Sequence, residues 1–293
     1  MSIGLKKVFI IIQRSTLLIA AFIVGSCASF QQPDIIVESN IWSGDIIYFV
    51  DLDDKYKQTR SFNRVWSKLG ARSFRPYHKF KNKPYTIIGT YETFDKDFLI
   101  IEDQKSRRYK MEFSFDKGNM SSLPSYILFE NIFRKARSMV GETIWLNNTY
   151  DPKGFYTFSD YSFPRFEPVT VVDVFKYQNN DFDHPIWLKV KTDSGAEAFL
   201  RYNGEEGRIG IQDHYYTSEP LPRSWGKKRI QTVLDQKIEL GMTDRQLRIS
   251  IGNPDEINTT SSRHGIGEQW IYKSRGSKIY YQFEYGRLTY INE

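Results

Sequence analysis

Gly44-Asp45-Ile46-Ile47-Tyr48-Phe49 and Gly141-Glu142-Thr143-Ile144-Trp145-Leu146 open two segments that repeat one order of short strands. The first continues through Tyr85-Thr86-Ile87-Ile88-Gly89-Thr90-Tyr91 and closes with a hairpin, Phe98-Leu99-Ile100-Ile101 to Tyr109-Lys110-Met111-Glu112-Phe113. The second continues through Val169-Thr170-Val171-Val172-Asp173-Val174-Phe175 and closes with Ile186-Trp187-Leu188-Lys189-Val190 to Ala198-Phe199-Leu200. Both are rich in β-branched and aromatic residues, which suit a pleated, half-buried surface. Turn-forming residues, Asp103 to Ser106 and Asp193-Ser194-Gly195, stand at the two hairpin tips.

A Gly-acidic-x-Ile-aromatic opening, a long loop and three further strands resemble the small Src-homology-3-like barrel, which implies about five strands closed around one core in each copy. From Gly44 to Tyr85 is 41 residues, but from Gly141 to the matching Glu167 only 26. Within the excess, Phe62, Val65, Trp66 and Leu69 stand at i, i+3, i+4 and i+7 before Gly70, which predicts an inserted amphipathic helix. Leu128, Phe129, Ile132, Phe133, Ala136 and Val140 carry the same spacing and predict a helix joining the barrels.

The C-terminal third carries a sharper signal. In Leu240-Gly241-Met242-Thr243-Asp244-Arg245-Gln246-Leu247, Thr243 and Gln246 form a capping box, and Met242 and Leu247 fall at the positions of a hydrophobic staple. Gly252 ends the predicted helix and Pro254 forbids its continuation. A polar loop, Asn258 to Gly267, then leads to three strands, Trp270-Ile271-Tyr272, Ile279 to Phe283 and Leu288 to Ile291. The matching positions Gly241, Met242, Thr243, Gln246, Leu247, Gly252, Pro254, Trp270, Tyr272, Phe283, Gly286 and Leu288 resemble the BamE/OmlA (SmpA) family of outer-membrane lipoproteins. That resemblance implies a small α+β sandwich and a role beside the machine that inserts β-barrels into the outer membrane. Family members are typically one domain directly behind their anchor, whereas here the module follows two barrels.

At the other end, Lys6, Lys7 and Arg14 precede the apolar run Leu17 to Val24, which is too short to span a bilayer stably and reads as an export signal. Val24-Gly25-Ser26-Cys27 resembles a lipobox, which implies cleavage before Cys27 and diacylation of its thiol. Cys27 is the only cysteine, so no disulfide or thiolate metal site is expected. Loss of the signal removes three basic residues and leaves 38 basic against 35 acidic, a net +3 that does not argue for nucleic acid. The resulting organisation is a signal peptide over 1–26, a tether over 27–40, a barrel-like repeat over 41–118, a connecting helix over 119–140, a second repeat over 141–218 and a BamE-like domain over 219–293. The fold class is mainly β with an α+β C-terminal module, a BamE-like helix plus three-stranded antiparallel meander.

Two loops are candidate contact surfaces. Tyr150, Phe155, Tyr156, Phe158 and Tyr161, with Phe163 and Phe166, crowd the long loop of the second repeat, the loop that the barrel resemblance associates with peptides. Arg72, Arg75, Lys79, Lys81 and Lys83, with His78, form a basic loop in the first repeat suited to anionic lipid or peptidoglycan. Asp181-Phe182-Asp183-His184 and Asp51-Leu52-Asp53-Asp54 read as polar loops rather than metal sites, because neither has a full ligand set. No nucleophile motif surrounds any serine. The expectation is a non-enzymatic lipoprotein without metal or cofactor, facing the periplasm from the outer membrane. Its partners would be envelope proteins, barrel-assembly components among them, or alternatively peptidoglycan.

Overall fold

Six strands form the first sheet: β1 (Ile46–Phe49) and, after a short β2 (Asp51–Leu52) that lies outside it, β3 (Trp66–Lys68), β4 (Pro84–Glu92), β5 (Asp97–Asp103), β6 (Arg108–Glu112) and β7 (Ile127–Phe129). Their order is β3-β6-β5-β4-β1-β7. The second sheet contains β8 (Thr143–Leu146), β9 (Phe155–Thr157), β10 (Pro168–Gln178), β11 (Ile186–Lys191), β12 (Glu197–Arg201) and β13 (Tyr215–Tyr216), in the order β13-β8-β10-β11-β12-β9. Read from β9, that path is the first sheet's path with every strand replaced by its counterpart. Both sheets are curled half-barrels, and the protein is mainly β. This computed structural model describes residues 35–57, 59–94, 96–113, 123–147, 149–150, 154–179, 185–204, 214–262, 265–274 and 276–292. Glu38–Glu293 form one unit; of the preceding unit, Met1–Val37, only residues 35–37 are described, and they carry no regular element.

The two sheets match bond for bond. The Gly44 N–H donates to the Ile87 carbonyl at 2.8 Å and the Gly141 N–H to that of Val171 at 2.8 Å. Both glycines have positive φ, +97° and +93°, which side chains rarely adopt. A β-bulge then interrupts each ladder at the same place, between Ile87 and Gly89 and between Val171 and Asp173. Pairing of Tyr85 with Ile47 and of Val169 with Ile144 makes Val169, not Glu167, the counterpart of Tyr85. Apolar side chains on alternate residues fill the concave side: Ile47, Phe49, Tyr85 and Ile87 in one sheet, Ile144, Leu146, Val169 and Val171 in the other, all buried.

Two helices are shorter than their spacing predicts. Residues 62–69 do not form one helix: α1 (Asp54–Lys57) and α2 (Arg60–Asn63) are single turns, and Trp66 lies on β3 opposite Met111. The Trp66 indole donates to the Tyr126 hydroxyl at 3.2 Å while the Phe62 ring lies 5.0 Å from that of Tyr126. The i, i+3, i+4, i+7 spacing is thus produced by a helical turn followed by a strand, and non-local pairing of Trp66 prevails over local helix bonds. Likewise the joining helix, α3 (Glu130–Arg137), is preceded by Leu128 and Phe129 on β7, which pairs with β1 and extends the first sheet beyond residue 118.

The repeats share one hydrophobic core. Helix α3 packs against β1 and β7 of one sheet and β10 and β11 of the other. Strand β2 leaves its own repeat and pairs in parallel with the end of β10, Asp51 opposite Tyr177. The Lys176 ammonium sits over the rings of both Tyr48 and Phe133 at 4.4 Å.

The C-terminal unit contains α4 (Gly226–Leu234), α5 (Asp244–Ile251) and a four-stranded antiparallel sheet in sequential order, β14 (Glu256–Ser262), β15 (Gly265–Ser274), β16 (Ser277–Glu284) and β17 (Arg287–Asn292). The expected three strands are β15 to β17. The stretch expected as a polar loop supplies a fourth, with Glu256 to Ser262 pairing along Gly265 to Ile271. Its sequence lacks the apolar alternation that would announce a strand. Both halves of the Thr243–Gln246 capping box are formed. Met242 and Leu247 are buried in one cluster with Val233, Trp270, Tyr281, Phe283 and Leu288.

Candidate functional site

The aromatic loop of the second repeat divides into an inward and an outward set. Phe163 is buried, and Phe155 packs edge-on against it with centroids 5.3 Å apart. Phe166 is buried as well, at a positive φ of 67° that a bulky residue adopts only under strain. Its ring packs on Tyr216 at 5.7 Å and belongs to the C-terminal core rather than that of the repeats. Beside it the Arg165 guanidinium sits 4.3 Å from the Phe166 ring and donates to the carbonyls of Ile249 at 2.6 Å and Ser250 at 3.2 Å. Those carbonyls end α5, where the helix dipole places partial negative charge. Burial holds the Arg165 guanidinium below its ordinary pKa. Burial likewise pushes the Tyr216 hydroxyl up to about 12, with Arg165 opposing. This corner therefore docks the C-terminal unit.

The outward set forms a surface. Alternation along β9, β10 and β12 brings Tyr156, Phe175 and Phe199 to the convex side, opposite the core. Phe158, 84% exposed, meets Phe199 edge-on at 5.6 Å, and Phe199 meets Phe175 at 5.5 Å. Tyr156 leans on Trp187 at 5.3 Å, and the buried Arg201 guanidinium lies 4.3 Å from the same indole. The Tyr156 hydroxyl accepts from the Asn179 amide at 3.1 Å, fixing the ring against the sheet. Rings held edge to edge, partly exposed and each with only two side-chain torsions, suit apolar contact at low ordering cost.

Tyr161 stands apart from this row. Its hydroxyl donates to the Glu167 carboxylate, and its ring packs on Phe163 at 4.8 Å. Tyr150 is 86% exposed. Sequence spacing singled out Tyr156 and Phe158 but missed Phe175 and Phe199, which lie on distant strands. The available signal was their place on the polar side of otherwise alternating β10 and β12.

The basic loop of the first repeat is anchored from beneath. Tyr77 and Phe80 enter the core, with Phe80 stacked on Phe49 at 5.0 Å, so the intervening cations ride outside. Lys81 pairs with Asp51 at 2.7 Å, Lys83 donates to the Lys79 carbonyl at 3.0 Å, and Arg75 lies over the Tyr109 ring at 5.7 Å. Arg72, His78, Lys79 and Lys83 are exposed. Asp53 accepts a hydrogen bond from the Tyr177 hydroxyl at 3.2 Å, tying the first acidic stretch to β10. Cys27 and Asp181-Phe182-Asp183-His184 lie outside the described residues. Among the described residues no helix is long and apolar enough to cross a membrane, and no group of three or more His, Cys, Asp or Glu is placed to hold a metal ion.

Comparison with protein-family models, curated proteins and solved structures returned no match. The class is therefore defined by architecture alone: two like-wired curled sheets sharing a core, followed by a helix-backed antiparallel sheet docked on the second.

Proposed function

We propose that this chain is a lipid-anchored, non-enzymatic envelope protein that works by contact, with Cys27 as its anchor and the convex face of the second repeat as its principal contact surface. In this reading the curled sheets are Src-homology-3-like barrels and the C-terminal unit is a BamE-like module. The protein faces the periplasm from the outer membrane and serves assembly or integrity of the envelope. The observation that carries the reading is the row Phe158, Phe199 and Phe175, braced edge to edge around the half-buried Phe199, with Tyr156 beside it on Trp187; Tyr156, Phe158 and Phe175 are exposed. Such a row is costly to leave in water without a partner.

A photo-crosslinking residue at Phe158 of the full chain, in intact cells, tests it. The expected product is a discrete adduct with an envelope protein, with barrel-insertion components as the assembly reading requires. Mass spectrometry of the same material is expected to find residue 27 diacylated and residues 1–26 absent. Sedimentation with purified sacculi that survives loss of residues 220–293 but not of 44–202 would move the function to the cell wall. An unmodified Cys27 behind an intact Met1 would remove the compartment and the partners together.

A further inference from the structure

Among the described residues, the edge of the second sheet beside that aromatic row has no counterpart of the extended segment with which the first sheet covers its own edge. In the first repeat β3 is an edge strand, and its free side is covered by its own chain: Ser67 bridges Phe74, and the Arg75 N–H donates to the Trp66 carbonyl at 2.7 Å. Registers of β3 on β6 and of β9 on β12 make Trp66, Ser67 and Lys68 the counterparts of Phe155, Tyr156 and Thr157. The Arg201 N–H donates to the Gly154 carbonyl at 2.8 Å, so Tyr156 turns its own N–H and C=O toward Phe199. Phe155 and Thr157 therefore turn theirs outward, as Trp66 does. Among the described residues no backbone hydrogen bond closes that side of β9.

We propose that an extended segment of a partner protein completes the second sheet by pairing antiparallel with β9, taking the place that residues 73–75 take beside β3. Main-chain bonds to Phe155 and Thr157 would supply the pairing and one apolar side chain the selectivity. In the first repeat that side chain is Phe74, opposite the small Ser67. In the second the opposed residue is Tyr156, with Phe158 beyond it, so the partner residue at this place is an aromatic or large aliphatic one resting on exposed rings. The inference deepens the contact function proposed above by naming the segment's conformation, its orientation and its central residue. Only a chain with free N–H and C=O groups satisfies it; a glycan strand does not.

The test uses the full mature chain and, as probe, a synthetic peptide with the sequence of residues 71–77, which holds the equivalent edge in cis. Backbone NMR with hydrogen exchange is expected to show slowed exchange at Phe155 and Thr157 and shifts along β9 and β12. The probe with alanine in place of its phenylalanine should bind on the order of tenfold more weakly. Thr157→Pro removes an outward donor and no bond to β12, and should abolish binding. Phe158→Ser removes a ring that is 84% exposed; it should weaken binding while leaving the thermal midpoint nearly in place, which separates loss of the contact from misfolding. Absence of perturbation at β9 at millimolar probe, or perturbation at β3 through displacement of residues 73–75, overturns the proposal. Acylation of Cys27 without binding at β9 would sink this inference alone, whereas binding at β9 with an unacylated Cys27 would sink the anchored reading and keep this one.

Discussion

Along its strands the first repeat buries rings where the second buries aliphatic side chains, although Phe163, Tyr202 and Tyr215 also enter the second repeat's core. Phe49, Tyr85 and Tyr109 occupy the positions of Leu146, Val169 and Ala198, and the rings of Trp66, Tyr77, Phe80, Tyr85 and Tyr126 all come within 6.0 Å of that of Phe49. The cause lies in the first loop. Gly44 to Pro84 spans 40 residues and Gly141 to Pro168 spans 27, and the longer loop sends Tyr77 and Phe80 inward. One strand path thus tolerates two different packings, provided that the glycine turn, the bulge and the alternation persist. A fold of this kind is specified by pattern and backbone geometry, and residue identity adjusts to the volume that the loops bring.

The sharpest way to break the comparison is to give the first repeat the second's residue where they differ most. Tyr109 is buried, with the Phe80 and Tyr85 rings 5.1 and 5.9 Å away. Tyr109→Ala should cost about 3–5 kcal/mol, because stiff neighbouring rings cannot collapse into the space. The reverse change, Ala198→Tyr, should also destabilise, by roughly 1–3 kcal/mol through overpacking. Urea unfolding midpoints read both. A cost under about 1 kcal/mol for Tyr109→Ala would mean that the ring packing is not what holds the first sheet.

A second exchange concerns the corner before β4 and β10. Asn82 and Phe166 are counterparts: each has positive φ, 58° and 67°, and donates its N–H to the matching β1 or β8 carbonyl, Phe49 and Leu146. Asparagine tolerates that conformation and phenylalanine does not. The strain at Phe166 is offset by its ring, which docks the C-terminal unit. Phe166→Asn should relieve about 1–2 kcal/mol of strain but lose a buried ring worth about 3–5 kcal/mol, a net loss of about 2 kcal/mol. Hydrogen exchange should place that loss in α5 and β15 to β17. A loss spread evenly over both repeats would contradict the docking role.

Matched glycines sharpen the comparison from the other side. Nothing lies within 4 Å of a Cβ built on Gly44 or Gly141, so alanine at either position meets backbone strain and no clash. Each substitution should cost about 1–2 kcal/mol, the two should agree within about 0.5 kcal/mol, and the double variant should be additive. Unequal costs would show that the repeats share a path without sharing its energetics.

Strand order, hairpin tips and the capped helix were legible because each leaves a local mark: alternation, turn residues, and a Thr-x-x-Gln box before an apolar run. What escaped was fixed from far away. Trp66 and Phe129 carry helical spacing, yet Met111 and Ile47 opposite them draw both into strands. Strand β14 reads as a loop because its partner, not its own composition, makes it a strand. Part of the candidate site was legible for the same reason: Tyr156 and Phe158 are neighbours in sequence, while Phe175 and Phe199 join them only through the register of β10 and β12.

The smallest expected difference lies at the hairpin tips. Asp103 and Thr192 are counterparts, each bonding across its turn, with Ser106 and Gly195 at the matching positive φ, 55° and 93°. The Thr192 hydroxyl accepts the Ala196 N–H at 3.0 Å, and the Asp103 carboxylate accepts those of Lys105 at 2.9 Å and Arg107 at 3.0 Å. At the first tip the side chain that bonds across the turn is a carboxylate, at the second a hydroxyl. Burial works to raise the Asp103 pKa, but the Arg107 side chain and the two backbone N–H groups outweigh it and hold the carboxyl below its ordinary range. A depressed folded-state value means that the carboxylate supports the fold above the unfolded pKa near 4, and that this support is lost as pH falls through the folded value. Arg107 is half exposed, so the contribution should amount to only a few tenths of a kcal/mol. Asp103→Thr should therefore lower stability slightly at pH 7 and flatten its acid limb, while Thr192→Asp should introduce no comparable limb, since Ala196 stands where Arg107 does. Thermal midpoints between about pH 3 and 6 distinguish the two tips. An unchanged acid limb in Asp103→Thr would place the titrating support elsewhere and leave the tips equivalent.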